Sequence, residues 1–283
     1  MVAYLHTPQT HVAPARRDDY SSPARYAIYF APNRDSAWWR FGCAWLGRDP
    51  VNNTCVARPA LPALEGAGVS VDTLERITAA PRGYGFHATL KAPFRLRAGY
   101  TADDVYAQAQ DLAQSLIVVE LPPVQLCVID GFVALSFPRD IHVNHDSGTG
   151  STPGVTVNLP AVNALAAQCV SAFDHLRAAP DARELARRHA AGLTQRQANL
   201  LAEWGYPYVF QEFRFHITLT GALPPQERQA IIDALAPTVA RLNERPLRLD
   251  SLSIYWQPAP EAPFVVTRRY GFDGNIENYR DES

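Results

Sequence analysis

GYGFHATLKAPF, residues 83–94, sets His87, Thr89 and Lys91 on alternate positions, with Phe86, Ala88, Leu90 and Ala92 interleaved. A period of two is the mark of a half-buried strand, because successive side chains point to opposite faces of the sheet. The alternation therefore predicts one polar face bearing His87, Thr89 and Lys91, and one apolar face. Lys91 is also the only lysine of the chain, every other long cationic side chain being arginine. FRFHITLTGAL, residues 213–223, has the same design, with Arg214, His216, Thr218 and Thr220 set against Phe215, Ile217 and Leu219.

Around these two strands the halves of the chain follow one plan. YAIYFAP, HATL, a helix opening at Thr101 and VQLCVI are followed by FVALSFP, HITL, a helix opening at Pro225 and LRLDSLSIYW. A repeated order of elements is a stronger signal than the weak identity between the copies. It predicts an α+β, bilobal, duplicated fold: two antiparallel sheets related by an approximate twofold axis, facing a central cleft, with helices outside. Residues 1–23 read as a flexible tail, 24–130 as the first lobe and 131–283 as the second, with a mobile polar loop at 140–154.

Local signals fill in this plan. Ser36 and Ser70 stand where helix N-caps belong, and Thr101 with Asp104 and Thr194 with Gln197 form capping boxes. Gly205 sits at a helix C-cap. Residues 160–178 and 181–189 read as helices, and the helix from Pro225 is expected to be interrupted near Pro237. Asp130-Gly131 between two apolar alternating runs is the strongest hairpin signal. Trp38, Trp39 and Trp45 lie at helical spacing and read as core.

Composition narrows the function classes. Of 283 residues, 47% are hydrophobic and 19% charged, which is ordinary for a protein with a real core. A formal net charge of -2 and a pI near 6.4 argue against a surface for duplex nucleic acid, whose affinity scales with phosphates neutralised. No apolar run reaches the roughly 18 residues of a membrane span, so no membrane partner is expected. Cys43, Cys55, Cys127 and Cys169 show no C-x-x-C spacing, and no secretory leader is visible, so free thiols in the cytoplasm are expected. His142 and His145, between Asp140 and Asp146, could be drawn as metal ligands, but they read as part of a flexible polar loop, since a structural metal site needs fixed geometry and a second shell. No metal and no cofactor are expected.

A single H-x-T is also what a solvent-facing row would show. Two copies, at matching places in a repeat, point to a shared ligand. If the strands face one cleft, two imidazoles and two hydroxyls converge on it. Histidine titrates nearest neutrality, so one ring can accept a proton while the other donates one. Threonine hydroxyls can donate to phosphate oxygens, and Lys91 would add positive charge where a phosphorane becomes more anionic. Tyr84 and Tyr208, just before the two motif regions, are placed to border the cleft and stack on a sugar or base. Lys91, Arg95, Arg214, Arg268 and Arg269 are candidates to hold a second phosphate.

The paired HATL and HITL resemble the 2H phosphoesterase superfamily, which takes its name from two H-x-[ST]-x motifs and includes RNA 2′,3′-cyclic phosphodiesterases and 2′-5′ RNA ligase-like proteins. YGFHATLKAPF and WGYPYVFQEFRFHITLTGAL resemble more narrowly a bacterial group within it, the phosphonate metabolism proteins (domain of unknown function 1045), often encoded beside carbon-phosphorus lyase genes. The resemblance spans roughly residues 26–272. It implies a metal-independent phosphodiesterase with His87 and His216 catalytic, and Thr89 and Thr218 binding phosphate. The substrate implied is a small cyclic phosphodiester, such as a ribose or nucleotide cyclic phosphate. The tail and the longer connection at 140–158 depart from the group's pattern. The alternatives are a non-catalytic module that senses a phosphorylated metabolite, and an enzyme acting on a short RNA end.

Overall fold

Serine, threonine and glycine define the helix ends. Ser36 Oγ accepts from the Trp39 amide and Ser70 Oγ from the Thr73 amide, opening helices α1 (Ala37–Leu46) and α2 (Val71–Arg82). At α3 (Ala102–Ser115) the Thr101 amide donates to the Asp104 carboxylate at 2.7 Å, the reciprocal bond of a capping box. Helices α4 (Leu159–Ala172) and α5 (Ala182–His189) follow. Thr194 and Gln197 cap α6 (Gln195–Trp204), which Gly205 ends in the left-handed conformation at φ 72°. Helix α7 (Pro225–Leu242) runs through Pro237 without the expected break. The proline removes one N–H bond, and the face carrying Ile231, Leu235 and Val239 stays fully buried.

The computed structural model describes residues 23–59, 66, 69–137, 159–180, 182–190 and 192–280. The tail up to residue 22, the loop at 140–154, and His142 and His145 lie outside the described residues.

Eight strands form one antiparallel sheet: β1 (Arg25–Phe30), β4 (Ala88–Phe94), β6 (Gln125–Ile129), β7 (Phe132–Ser136), β8 (His216–Ala222), β10 (Ser251–Gln257), β11 (Val265–Gly271) and β12 (Ile276–Asn278). The order is β12-β11-β10-β1-β4-β8-β7-β6. Two short ribbons, β2 (Arg48–Asp49) with β3 (Thr54–Cys55) and β5 (Val119–Glu120) with β9 (Arg248–Leu249), stand apart. The β6–β7 turn is Asp130-Gly131 with φ 45° and 88°, the paired positive angles of a tight hairpin.

Two separate sheets facing a cleft were expected, and the described residues form one continuous sheet instead. Its seam is β4 beside β8, the two H-x-T strands, paired at Ala88↔Ile217. Outward from that seam come β1 on one side and β7 on the other, then β10 and β6. The strand that closes each half thus crosses over: β6 pairs with β7, and β10 pairs with β1.

One face carries Ile28, Phe30, Ala88, Leu90, Ile217 and Leu219, in a single apolar cluster with residues of α2, α3, α4 and α7. The other face carries a smaller cluster of Ala27, Tyr29, Tyr255, Phe264 and Val266, and beside it the polar array of the motif strands. Among the described residues no helix is long and apolar enough to cross a membrane.

Candidate active site

The Ala88↔Ile217 pairing determines how the motifs meet. Continued by one residue each way, this antiparallel register sets His87 beside Thr218 and Thr89 beside His216. Same-face cross-strand neighbours have Cβ atoms about 4.5–5.5 Å apart. The two copies therefore build a two-by-two array in which each imidazole lies next to the other copy's hydroxyl.

Both imidazoles are held in the same way. His87 Nδ1 lies 2.8 Å from the Gly85 carbonyl, and His216 Nδ1 lies 2.9 Å from the Arg214 carbonyl. A carbonyl can only accept, so each Nδ1 carries its proton and each Nε2 is left for the cavity. Thr89 Oγ1 sits 3.3 Å from His87 Nε2. Gly85 is a glycine for a reason: its φ is +84°, and a Cβ there would meet the Pro50 ring at 2.8 Å. The anchor of His87 thus depends on a backbone shape that other residues resist.

His87 also lies flat on Tyr29, with ring centroids 3.8 Å apart and planes 19° from parallel, and Tyr84 and Tyr255 stand within 6.2 Å of its centroid. Burial in this aromatic setting pushes His87 from 6.5 to about 4, against the pull of the Gly85 carbonyl, with nearby His216 adding to the fall. Burial also lowers His216; its bond to the Arg214 carbonyl opposes this, the Arg214 guanidinium adds to it, and the Asp130 carboxylate opposes it. Both rings therefore favour the neutral form near pH 7, and a bound anion would favour protonating one of them.

The array opens into two adjoining cavities of about 610 and 730 Å³. The first is lined by His87, Thr89, Thr218 and Tyr84, the second by His216, Thr89 and Arg214. Phe132, Tyr206 and Tyr208 border both. His87, Thr89, Thr218, Tyr84 and Tyr208 thus line one cavity, and His216, Arg214, Thr89 and Tyr208 the one adjoining it.

Lys91 lines neither of them, and this corrects the face assigned to it by alternation. Thr89 lies opposite Tyr29 and Lys91 opposite Ile28, so β4 advances two residues while β1 advances one. That bulge inverts the phase of the strand. Lys91 turns to the helix side, 4% exposed, where its ammonium donates to the Val170 carbonyl at 2.9 Å and meets Asp174 at 3.3 Å. The acceptor is available because α4 stops at Ala172, short of the expected Ala178, and the last four carbonyls of a helix lack partners within it.

Strand β8 is displaced at the matching place. Ala134 pairs with Thr218 but Phe132 with Ala222, four steps against two. The backbone groups released there are satisfied by side chains: Thr220 Oγ1 accepts from the Val133 amide at 3.0 Å, and Trp45 Nε1 donates to the Leu219 carbonyl at 2.8 Å.

The other arginines proposed for phosphate also lie elsewhere. Arg269 is held by Asp250 and Glu277, Arg268 lies over the Tyr106 ring at 3.6 Å, and Arg95 faces Glu184 at 3.5 Å. In their place the structure brings Arg25 and Arg188 to the His87 cavity, with Tyr29 and Tyr206. Arg25 and Tyr29 share the period-two face of RYAIYF, a signal that was present in the sequence. Arg188 carried no such mark. Among the described residues no cluster of three or more His, Cys, Asp or Glu side chains could hold a metal ion.

Comparison with known proteins places the chain in context. The family described as "Protein of unknown function (DUF1045)" matches residues 89–146 and 152–265. A protein named ribose 1,5-bisphosphate phosphokinase PhnN, from Janthinobacterium sp. (strain Marseille), is 36% identical over 276 residues, which cover 95% of this chain and 55% of that protein. The protein of the same name from Laribacter hongkongensis (strain HLHK9) is 33% identical over 244 residues, covering 86% of this chain and 51% of its own length. The chain thus spans about half the length of the curated relatives it matches. No solved structure matches it significantly.

Proposed function

The chain belongs to the DUF1045 family, and we propose that it is a cytoplasmic phosphodiesterase that opens a small cyclic phosphodiester by two-histidine acid-base catalysis. The observation that carries this reading is the pair of imidazoles, each with Nδ1 tied to a carbonyl, lining two cavities that share Thr89, Phe132, Tyr206 and Tyr208. One neutral Nε2 takes a proton from water as its oxygen attacks phosphorus. The other, protonated in the bound complex, gives a proton to the sugar oxygen as the P–O bond breaks. The products are a phosphate monoester and a free hydroxyl, with no net proton change at the two rings. Thr89 and Thr218 donate to the non-bridging oxygens, where charge grows in the transition state. Acid-base catalysis of this kind contributes about 10²- to 10⁴-fold.

The same paired motifs support membership of the 2H phosphoesterases, and the strand order about the β4/β8 seam supports reading residues 24–130 and 131–283 as two copies of one unit. The relatives' name directs the choice of substrate toward a ribose with phosphates at two positions, and the reaction toward phosphonate metabolism. In a kinase built on a glycine-rich phosphate loop, a lysine follows G-x-x-x-x-G. The only lysine here stands in HATLKAP and faces α4. We therefore assign the relatives' kinase activity to the half of their length that this chain does not match.

The test is turnover of a panel of cyclic phosphodiesters, from nucleoside 2′,3′-cyclic phosphates to ribose cyclic phosphates, with EDTA present throughout. Ring opening in EDTA is expected. Activity that disappears with chelation and returns with a divalent ion would overturn the metal-independent mechanism, and binding without turnover would recast the protein as a sensor.

A further inference from the structure

Beside the imidazoles, the cavity of about 610 Å³ carries two guanidinium groups, Arg25 from β1 and Arg188 from α5. We propose that Arg25 and Arg188 form a binding site for a second phosphate, a monoester on the same small molecule whose diester lies between His87 and His216. The inference rests on the phosphodiesterase reading and adds to it which diester is chosen.

Arg25 is half-buried, and among the described residues no carboxylate pairs with it. Its Nε donates to the neutral Gln257 Oε1 at 2.6 Å, and its guanidinium lies 5.4 Å from the centre of the Phe264 ring. A cation taken partly out of water without a counter-ion is costly. Elsewhere in the chain Arg58, Arg177 and Arg269 meet that cost with carboxylates. Arg25 is instead oriented by an amide and an aromatic face, which leaves its charge for a ligand.

Arg188 is positioned by Glu184, which accepts from its Nη2 at 3.0 Å, and by Tyr206, whose ring centre lies 5.1 Å from the guanidinium carbon. Its Nε is buried and, among the described residues, has no hydrogen-bond partner. The planar guanidinium fork matches the oxygens of a phosphate.

The position of Arg25 along β1 points to a second phosphate on the ligand. Arg25 and Tyr29 point to the same side of β1, as the regular β1–β10 register shows. Four residues of strand set their Cα atoms about 13 Å apart, and His87 lies on the Tyr29 ring. One phosphate held by the histidines and threonines sits at the Tyr29 end of that stretch and does not fill the Arg25 end. A sugar with a second phosphoryl group at its far end does.

The experiment compares kcat/KM for a nucleoside 2′,3′-cyclic phosphate and for the same compound carrying a 5′-phosphate, alongside calorimetric binding of ribulose 1,5-bisphosphate and ribose 5-phosphate. Proteins tested are the wild type, Arg25→Gln, Arg25→Lys and Arg188→Gln, each first shown to melt cooperatively. The wild type is expected to prefer the 5′-phosphorylated ester by ~10-fold or more, the effect of a hydrogen bond to a charged group. Both glutamine variants should bring that ratio close to one, with Arg25→Lys in between. A wild-type ratio near one, or a ratio unchanged in every variant, overturns the inference while leaving the diesterase reading in place. Bisphosphate binding that depends on both arginines, with neither ester turned over, supports the second-phosphate site and overturns the diesterase reading.

Discussion

Replacing Lys91 by methionine separates the two roles that alternation and structure assign to it. Methionine keeps the buried apolar stem and removes the ammonium. The Val170 carbonyl then loses its donor, while Asp174 keeps Arg177 at 2.8 Å. An orphaned buried acceptor costs about 1–3 kcal/mol, independent of pH. The pH-dependent part is more telling. Burial pulls Lys91 down from 10.5 to about 8, only partly offset by Asp174. Because the folded value lies below the unfolded one, the unfolded chain holds more protons across that window, and wild-type stability rises with pH through it. Between pH 7.5 and pH 9.5 the relief is about 2 kcal/mol, taking ~1.4 kcal/mol per unit. Urea unfolding of both proteins at the two pH values isolates this quantity, since titrating groups not coupled to Lys91 cancel in the difference. Wild type should gain about 2 kcal/mol on the variant as pH rises, and kcat/KM should be unchanged within about threefold at pH 7.5, consistent with a side chain outside the cleft. Parallel pH dependence with a large fall in turnover would return Lys91 to the catalytic face and refute the bulge argument.

Three further outcomes follow from particular contacts. His87, held at about 4 in the fold against 6.5, destabilises the native state as pH falls from about 6.5 to 4; His87→Gln should remove up to about 2–3 kcal/mol of that loss, read from urea midpoints at pH 7 and pH 4.5. Gly85→Ala meets both a left-handed backbone and Pro50, so it should cost about 1–2 kcal/mol in denaturant and lower kcat, because the carbonyl that orients His87 moves. Trp45→Phe leaves the Leu219 carbonyl without its donor, and should lower the free energy of unfolding by about 1–3 kcal/mol without changing the pH profile of turnover.

Much of the local structure was legible in the sequence because short-range chemistry decides it. Ser36, Ser70, Thr101 and Thr194 cap the helices they precede, and Asp130-Gly131 makes its turn. The duplicated motif pointed to His87 and His216 as a pair, and the strands that carry the two motifs lie side by side. The phase of Lys91 was not, because a bulge inserts one residue without altering residue types, and period-two reasoning holds only while the ladder is regular. Nor could alternation say which strands become neighbours. Pairing of β4 with β8 joins residues more than a hundred positions apart through one bridge, and it merges the two expected sheets into one. Period two sets Arg25 on one face with Tyr29, but that this face meets the motif strands needed the same long-range knowledge, since it follows from β1 lying beside β4.

The central claim, two imidazoles acting on one phosphodiester, is tested most directly by kcat/KM on the best cyclic phosphodiester for wild type, His87→Ala, His216→Ala and the double variant. Each single change should lower kcat/KM by about 10²- to 10⁴-fold, and the double change by much less than the product of the two, because the rings serve the same bond-breaking step. Full turnover in either single variant, or losses that multiply as for independent sites, would contradict the account.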